Sequence, residues 1–157
     1  MKKTFFTNSP GETKKLGKFL AQKIIRRNSC SKSQKSAKIL GLEGDLGGGK
    51  TTFLQGFAKG LGIKQKILSP TFIIMRRSRI QSPTSKYQNF YHIDCYRIKK
   101  PEEILDLRFK EIISNPNNII AIEWIDKIKR IIPKKITWLT FKFINKNKRK
   151  IVIKNDN

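Results

Sequence analysis

Apolar residues in this chain fall into blocks whose spacing alternates between helical and extended. Leu16, Phe19, Leu20 and Ile24 form a stripe at helical spacing behind Ser9-Pro10-Gly11-Glu12, where Ser9 reads as the N-cap, Pro10 as the first helical residue and Glu12 as its capping-box partner. That helix is expected to end near Asn28, and residues 28–37, rich in Ser, Lys and Gln, read as a loop. Ile39-Leu40-Gly41-Leu42 predicts a short buried strand. Phe53, Leu54, Phe57, Ala58 and Leu61 then return to helical spacing, with Gly62 as the stop. Pro70 holds Ser69 extended, so no helix passes through Ser69-Pro70-Thr71-Phe72. Phe72 to Arg79 and Phe90 to Asp94 read as a hairpin across a long loop at 81–89.

Further along, Pro101-Glu102-Glu103 opens a predicted helix carrying Ile104, Leu105 and Leu107, with acids in its first turn. Ile119-Ile120-Ala121-Ile122 is a continuous apolar run, the pattern of a strand covered on both faces. Ile125, Ile128, Ile131 and Ile132 predict a short helix stopped by Pro133. Ile136 to Phe143, an Asn145–Lys148 turn and Ile151-Val152-Ile153 close the chain as a hairpin. The fold class that follows is α/β: a mixed sheet with a parallel core, extended by antiparallel strands and flanked by helices, in one domain over residues 1–157. There is no internal repeat.

One segment carries chemistry. Gly44-Asp45-Leu46-Gly47-Gly48-Gly49-Lys50-Thr51 fits the phosphate-binding loop pattern G-x-x-x-x-G-K-[ST] at every fixed position, between a predicted strand and a predicted helix. Glycines let backbone N–H groups turn inward around phosphate oxygens, and the following helix adds the positive end of its dipole. Asp45, Leu46, Gly47, Gly48, Gly49, Lys50, Thr51 and Thr52 are therefore the expected nucleotide-binding residues, with Lys50 reaching the β- and γ-phosphates and the Thr51 hydroxyl on Mg²⁺. The class is P-loop NTPase-like, with a nucleoside triphosphate and Mg²⁺ as the expected ligands.

The eleven acids can be sorted by position. Glu12 caps a helix, Glu102, Glu103, Asp106 and Glu111 share a solvated helical segment, Asp126 starts a helix and Asp156 lies in the tail. Glu43 and Asp45 flank the loop and would repel phosphate, so both are expected to point away. Asp94 and Glu123 remain, each ending an apolar strand, where ligands of open α/β sheets collect. His92 shares a face with Asp94 by alternation and reads as a satisfied structural histidine. Trp124 is equally suited to stacking on a purine or a partner and to ordinary packing, and Thr71 sits where a loop could approach the γ-phosphate.

The net charge of +24 brings nucleic acid into view. It accompanies 26 Lys against 9 Arg and 24 Ile against one Val, a skew expected of AT-rich coding, so charge alone speaks to solubility and non-specific association. Residues 127–155, which contain no acid, are the candidate electrostatic contact surface. No apolar run approaches the ~20 residues of a membrane span, and Met1 to Phe6 carries no stretch of signal-peptide length. With Cys30 and Cys95 far apart and no CxxC, the expectation is a cytoplasmic protein with free thiols.

GDLGGGKTTF at 44–53, SPTF at 69–72, Tyr91-His92-Ile93-Asp94-Cys95-Tyr96-Arg97 and Glu123-Trp124 after an apolar strand together resemble the TsaE (YjeE) family of bacterial P-loop proteins, over nearly the whole chain. The resemblance implies weak ATPase activity, partnership with TsaD- and TsaB-type subunits that modify tRNA to threonylcarbamoyladenosine, and contact with tRNA through that complex. It implies Lys50 and the loop backbone as phosphate cradle, Thr51 and Glu123 as the Mg²⁺-associated pair, Asp94 as catalytic or water-orienting acid with Lys50, Thr71 in a switch-like loop and Trp124 close to the nucleotide. Gly48 stands where the family usually has Ala, and Ile125 where Pro often follows. A small-molecule P-loop kinase and a basic nucleic-acid-binding module are the rival readings. The first needs an acceptor site and an Arg-bearing lid, for which the chain offers only the Arg76-Arg77-Arg79 cluster.

Overall fold

A computed structural model of the chain describes residues 2–28, 35–68 and 74–155. Thr71 and the rest of Ser69–Ile73, Cys30 and Asp156 lie outside the described residues.

The chain runs β1 (Lys2–Thr7), α1 (Pro10–Asn28), β2 (Lys38–Gly44), α2 (Lys50–Gly60), β3 (Met75–Arg79), β4 (Asn89–Asp94), a 3₁₀ segment (Pro101–Leu107), α3 (Phe109–Ser114), β5 (Asn118–Glu123), a second 3₁₀ segment (Ile125–Ile131), β6 (Thr137–Phe143) and β7 (Arg149–Asn155). All seven strands form one sheet in the order β1-β7-β6-β2-β5-β4-β3. β6, β2, β5 and β4 run parallel. β3 adds an antiparallel strand at one end and the β7–β1 pair does so at the other. The mixed sheet with a parallel core is thus the one expected.

Two apolar layers hold it. Leu40, Leu42, Ile119, Ala121 and Leu139 point to one face, against Phe53, Leu54 and Phe57 of α2 and Ala21, Ile24 and Ile25 of α1. Ile39, Ile93, Ile120 and Ile122 point to the other, against Ile104, Phe109, Ile125 and Ile128. Every residue of β5 is buried, as its unbroken apolar run requires. Each large aliphatic or aromatic side chain so covered contributes about 1.5–3 kcal/mol.

Helices α1 and α2 meet backbone to backbone. A methyl group at Gly56 would lie 1.9 Å from the Lys14 carbonyl oxygen, and one at Gly17 2.2 Å from that of Phe53. This close approach fixes where α2, and hence its N-terminus, sits. The N-terminus of α1 is capped as expected by Ser9, whose Oγ accepts the Glu12 N–H at 3.1 Å. The Glu12 carboxylate reaches one residue further back than a capping box does, to the Asn8 N–H at 2.7 Å.

Three elements differ from the sequence pattern. β1 is a strand that the pattern does not announce, because Phe5 is its single apolar side chain packed on the core, and Thr7, the other buried position, is polar. The 101–114 region is not one helix. Glu103 accepts the N–H groups of Lys99 and Lys100 and closes a tight 3₁₀ turn, and Arg108, at φ 56°, breaks the segment before α3. The 125–131 segment is 3₁₀ and kinked at Ile128. It seats Ile125 directly on Gly41, where a methyl group would come within 2.3 Å of the Ile125 Cδ1.

Candidate functional site

Strands β2, β5 and β4 are adjacent and parallel, so their C-terminal ends open on one cleft. In register, Leu42 lies beside Glu123 and Glu123 beside Asp94. The chain leaves β2 at Gly44, whose φ of 119° and close approach to the Phe141 carbonyl exclude a side chain. It then wraps through Asp45 to Gly49 and enters α2 at Lys50. Gly49, at φ 96°, is the helix N-cap and offers no side chain to the first N–H groups of α2. Such an uncapped N-terminus is a socket for anions. The Gly48 N–H closes the loop on the Asp45 carbonyl at 3.0 Å. A methyl group at Gly48 would fall 2.8 Å from that oxygen, so glycine suits this loop better than alanine does.

The flanking acids turn away from the socket. Glu43 accepts the Thr140 hydroxyl at 2.8 Å, and the Asp45 carboxylate accepts the Phe143 N–H at 3.1 Å. Glu123 and Asp94 are instead buried at the cleft, 3% and 6% exposed. Thr51 Oγ1 donates to the Glu123 carboxylate, 3.2 Å from each oxygen, and His92 Nε2 lies 2.8 Å from Glu123 Oε1. His92 is buried and paired with Glu123 through Nε2, but its Nδ1 is buried without a hydrogen-bond partner among the described residues, so it is not the fully satisfied histidine expected. Asp94 Oδ1 accepts the Tyr96 N–H at 2.9 Å, which folds the chain back across the strand end.

Lys50 Nζ donates to the carbonyl oxygens of Gly44, at 2.7 Å, and Asp45, at 2.8 Å. It also lies 4.0 Å from the centroid of the Trp124 ring, a cation–π contact. Burial lowers the Lys50 pKa from 10.5, with Glu123 and Asp45 opposing that shift. Trp124 reaches this place through a left-handed backbone, φ 58°, uncommon for a non-glycine residue. Its ring packs on Tyr96 with centroids 5.3 Å apart. Cys95, between the two acids' strand ends, is fully buried, and that burial pushes its thiol up to about 12.

The cleft has a volume of about 380 Å³. It brings together Leu46 to Thr52, Asp94, Glu123 and Trp124 of the expected residues, while Asp45 does not line it. Its other wall was not legible in the sequence: Pro10 and Thr13 from α1, and Lys146, Asn147 and Arg149 from the C-terminal hairpin. Arg149 stacks 4.5 Å from the Phe143 ring and donates from Nε to the Gly47 carbonyl at 3.0 Å. The absence of acid from 127–155 was the one available hint. The Arg76-Arg77-Arg79 cluster lies on β3, outside the cleft.

Residues 7–151 match the sequence model of the family described as threonylcarbamoyl adenosine biosynthesis protein TsaE. The chain belongs to the TsaE family. It is similar to the tRNA threonylcarbamoyladenosine biosynthesis protein TsaE of Rickettsia typhi, 37% identical across 96% of this chain and 93% of the relative. To the TsaE of Bacillus subtilis it is 34% identical, across 92% and 80% of the two chains. The crystal structure of Bacillus subtilis YdiB superposes with a TM-score of 0.74 at 27% identity, covering 100% of this chain and 87% of that one. The TsaE-like sequence blocks thus sit on a shared fold, and in this chain three of them (44–53, 91–97 and 123–124) converge on the cleft.

Proposed function

We propose that this TsaE-family chain binds ATP with Mg²⁺ in the cleft and hydrolyses it slowly, as a cytoplasmic accessory subunit serving threonylcarbamoyl modification of adenosine 37 in tRNA. TsaD- and TsaB-type subunits are its proposed partners, and tRNA is met through them. The observation that carries the nucleotide reading is the Thr51–Glu123 contact beside an uncapped helix N-terminus.

The donor set fits Mg²⁺. A hydroxyl and a carboxylate are hard oxygen ligands, and Mg²⁺ characteristically takes only one or two protein ligands and fills its shell with phosphate oxygens and water. Among the described residues no cluster of three His, Cys, Asp or Glu side chains could cage a metal alone, which agrees with a cation that arrives with its nucleotide. When bound, Mg²⁺ neutralises charge on the β- and γ-phosphates.

The chain's own groups do the rest. Loop and helix N–H groups hold phosphate oxygens. Lys50 leaves the Gly44 and Asp45 carbonyls and places its ammonium on the phosphates, where it offsets charge that grows as the phosphoryl group departs. Asp94, at the neighbouring strand end, orients the attacking water. His92 holds the Glu123 carboxylate in one position. Trp124 and Tyr96 wall the cleft against bulk water.

Calorimetric titration with ATP, with and without Mg²⁺, and phosphate release by the same protein test this. Lys50→Ala removes binding, and Asp94→Ala keeps binding but slows turnover by about two orders of magnitude. Unchanged hydrolysis in Asp94→Ala would strip that residue of its role, and absence of any binding heat would defeat the reading as a whole.

A further inference from the structure

The antiparallel end of the sheet has one face that no described helix covers, except at Trp138, which packs beside the second 3₁₀ segment. Strand register places nine side chains on it in three rows: Lys2, Lys154 and Trp138; Thr4, Val152 and Thr140; Phe6, Lys150 and Lys142. Residues paired across antiparallel strands share a face, so these rows form a grid. Each outer row carries two lysines and one aromatic ring, and the outer rows are about 13 Å apart along the strands. Lys2, Thr4, Phe6, Thr140, Lys142 and Lys154 are exposed, and Val152, Lys150 and Trp138 are half-buried. Phe6 is 56% exposed, a large value for a phenylalanine in a strand. Lys148 lies over its ring at 5.5 Å and Lys129 over that of Trp138 at 5.7 Å. The grid holds no acid. Glu43 borders it and is bonded to the Thr140 hydroxyl.

This arrangement opposes folding stability. Lys150 stands directly across from Lys142, and Lys2 from Lys154, and like charges directly opposite are destabilising. Edge protection explains lysines on β1, the outermost strand, but β6 and β7 are interior strands. A second copy of the chain would set the same four lysines against themselves. What the pattern suits is a ligand with regularly spaced negative charge and flat faces. Lysines then release counterions from phosphates while the exposed Phe6 ring stacks on a base, the combination by which open sheets hold single-stranded nucleic acid.

We propose that this face is a docking surface for single-stranded RNA, separate from the phosphate-loop cleft and independent of its nucleotide. The test measures fluorescence anisotropy of a short labelled RNA of mixed sequence, and of the same sequence in duplex form, with full-length protein and no ATP. Lys142→Gln/Lys150→Gln is compared with Lys15→Gln/Lys18→Gln, an equal charge change on exposed positions of α1. The grid pair is expected to weaken single-strand binding about tenfold and to lower the salt slope by roughly 1.4, at about 0.7 per lost phosphate contact. The α1 pair should leave both nearly unchanged. Phe6→Ala is expected to reduce the preference for single strand over duplex. Equal losses from both lysine pairs would assign the binding to overall charge and overturn the proposal. So would the absence of RNA binding, or an unaltered strand preference in Phe6→Ala. Because ATP is omitted throughout, the nucleotide reading stands or falls separately.

Discussion

The Thr51 hydroxyl donates to both carboxylate oxygens of Glu123, 72 residues further along the chain, at 3.2 Å each. One residue lies in the first turn of α2 and the other closes β5, so the contact joins the helix behind the phosphate loop to the strand beside it. Glu123→Gln keeps the shape and removes the charge. It is expected to abolish the gain in ATP affinity that Mg²⁺ provides while leaving metal-free binding nearly intact. Titrating ATP at several magnesium concentrations reads this directly, and an undiminished magnesium effect would remove Glu123 from the cation.

His92 and Glu123 form a buried pair in which each is at most 3% exposed. His92→Ala leaves the carboxylate without this partner, and urea unfolding should show a loss of about 2–3 kcal/mol. His92→Gln, which can still donate a hydrogen bond, should recover much of it. Equal losses in the two variants would show that packing, not the bond, matters at this position.

The chain has two tryptophans, and they report on different places. Trp124 lies under Lys50, whereas Trp138 lies on the open sheet face. If Lys50 leaves its two carbonyls to meet phosphate, the Trp124 ring loses its cation. ATP should then change the intrinsic fluorescence of wild type and Trp138→Phe, and leave that of Trp124→Phe flat. The same signal in both variants would contradict this movement of Lys50.

Cys95 gives a pH dependence of fixed sign. Its thiol ionises near 9.0 when unfolded and near 12 when buried, so the folded chain holds more protons in that window. Stability contributed by the protonated thiol is complete below pH 9 and is lost as pH rises toward 12. Lys50 acts oppositely. Its lowered pKa means the unfolded chain binds more protons in the window between the lowered folded value and 10.5, so stability rises with pH across that window. Comparing wild type with Cys95→Ala isolates the thiol. Chemical denaturation at pH 8 and pH 10.5 should show wild type losing stability relative to the variant, and parallel behaviour would contradict the assignment.

Gly56→Ala should cost about 2 kcal/mol or more, because its methyl group would meet backbone rather than a movable side chain. Thermal unfolding measures this. An unchanged midpoint would mean that α1 and α2 are less closely opposed than described.

How much of this was readable beforehand depends on where the information sits. The parallel strands announced themselves, since Ile119 to Ile122 must be apolar on both faces. Asp94 and Glu123 could be found because acids ending apolar runs are few. The His92–Glu123 bond could not, since it depends on β4 and β5 being neighbours in a given register. β1 was hidden because an edge strand with a single packed apolar side chain carries almost no hydrophobic periodicity. Trp124's left-handed backbone leaves no trace in residue type, and Gly17 and Gly56 look like poor helix formers until the helix beside them is placed.

The phosphate loop is braced from far along the chain. Phe143 and Arg149, from either side of the last turn, grip Asp45 and Gly47. The loop tip is therefore an annex of the closing hairpin, and shortening the protein from its far end would slacken a segment encoded a hundred codons earlier.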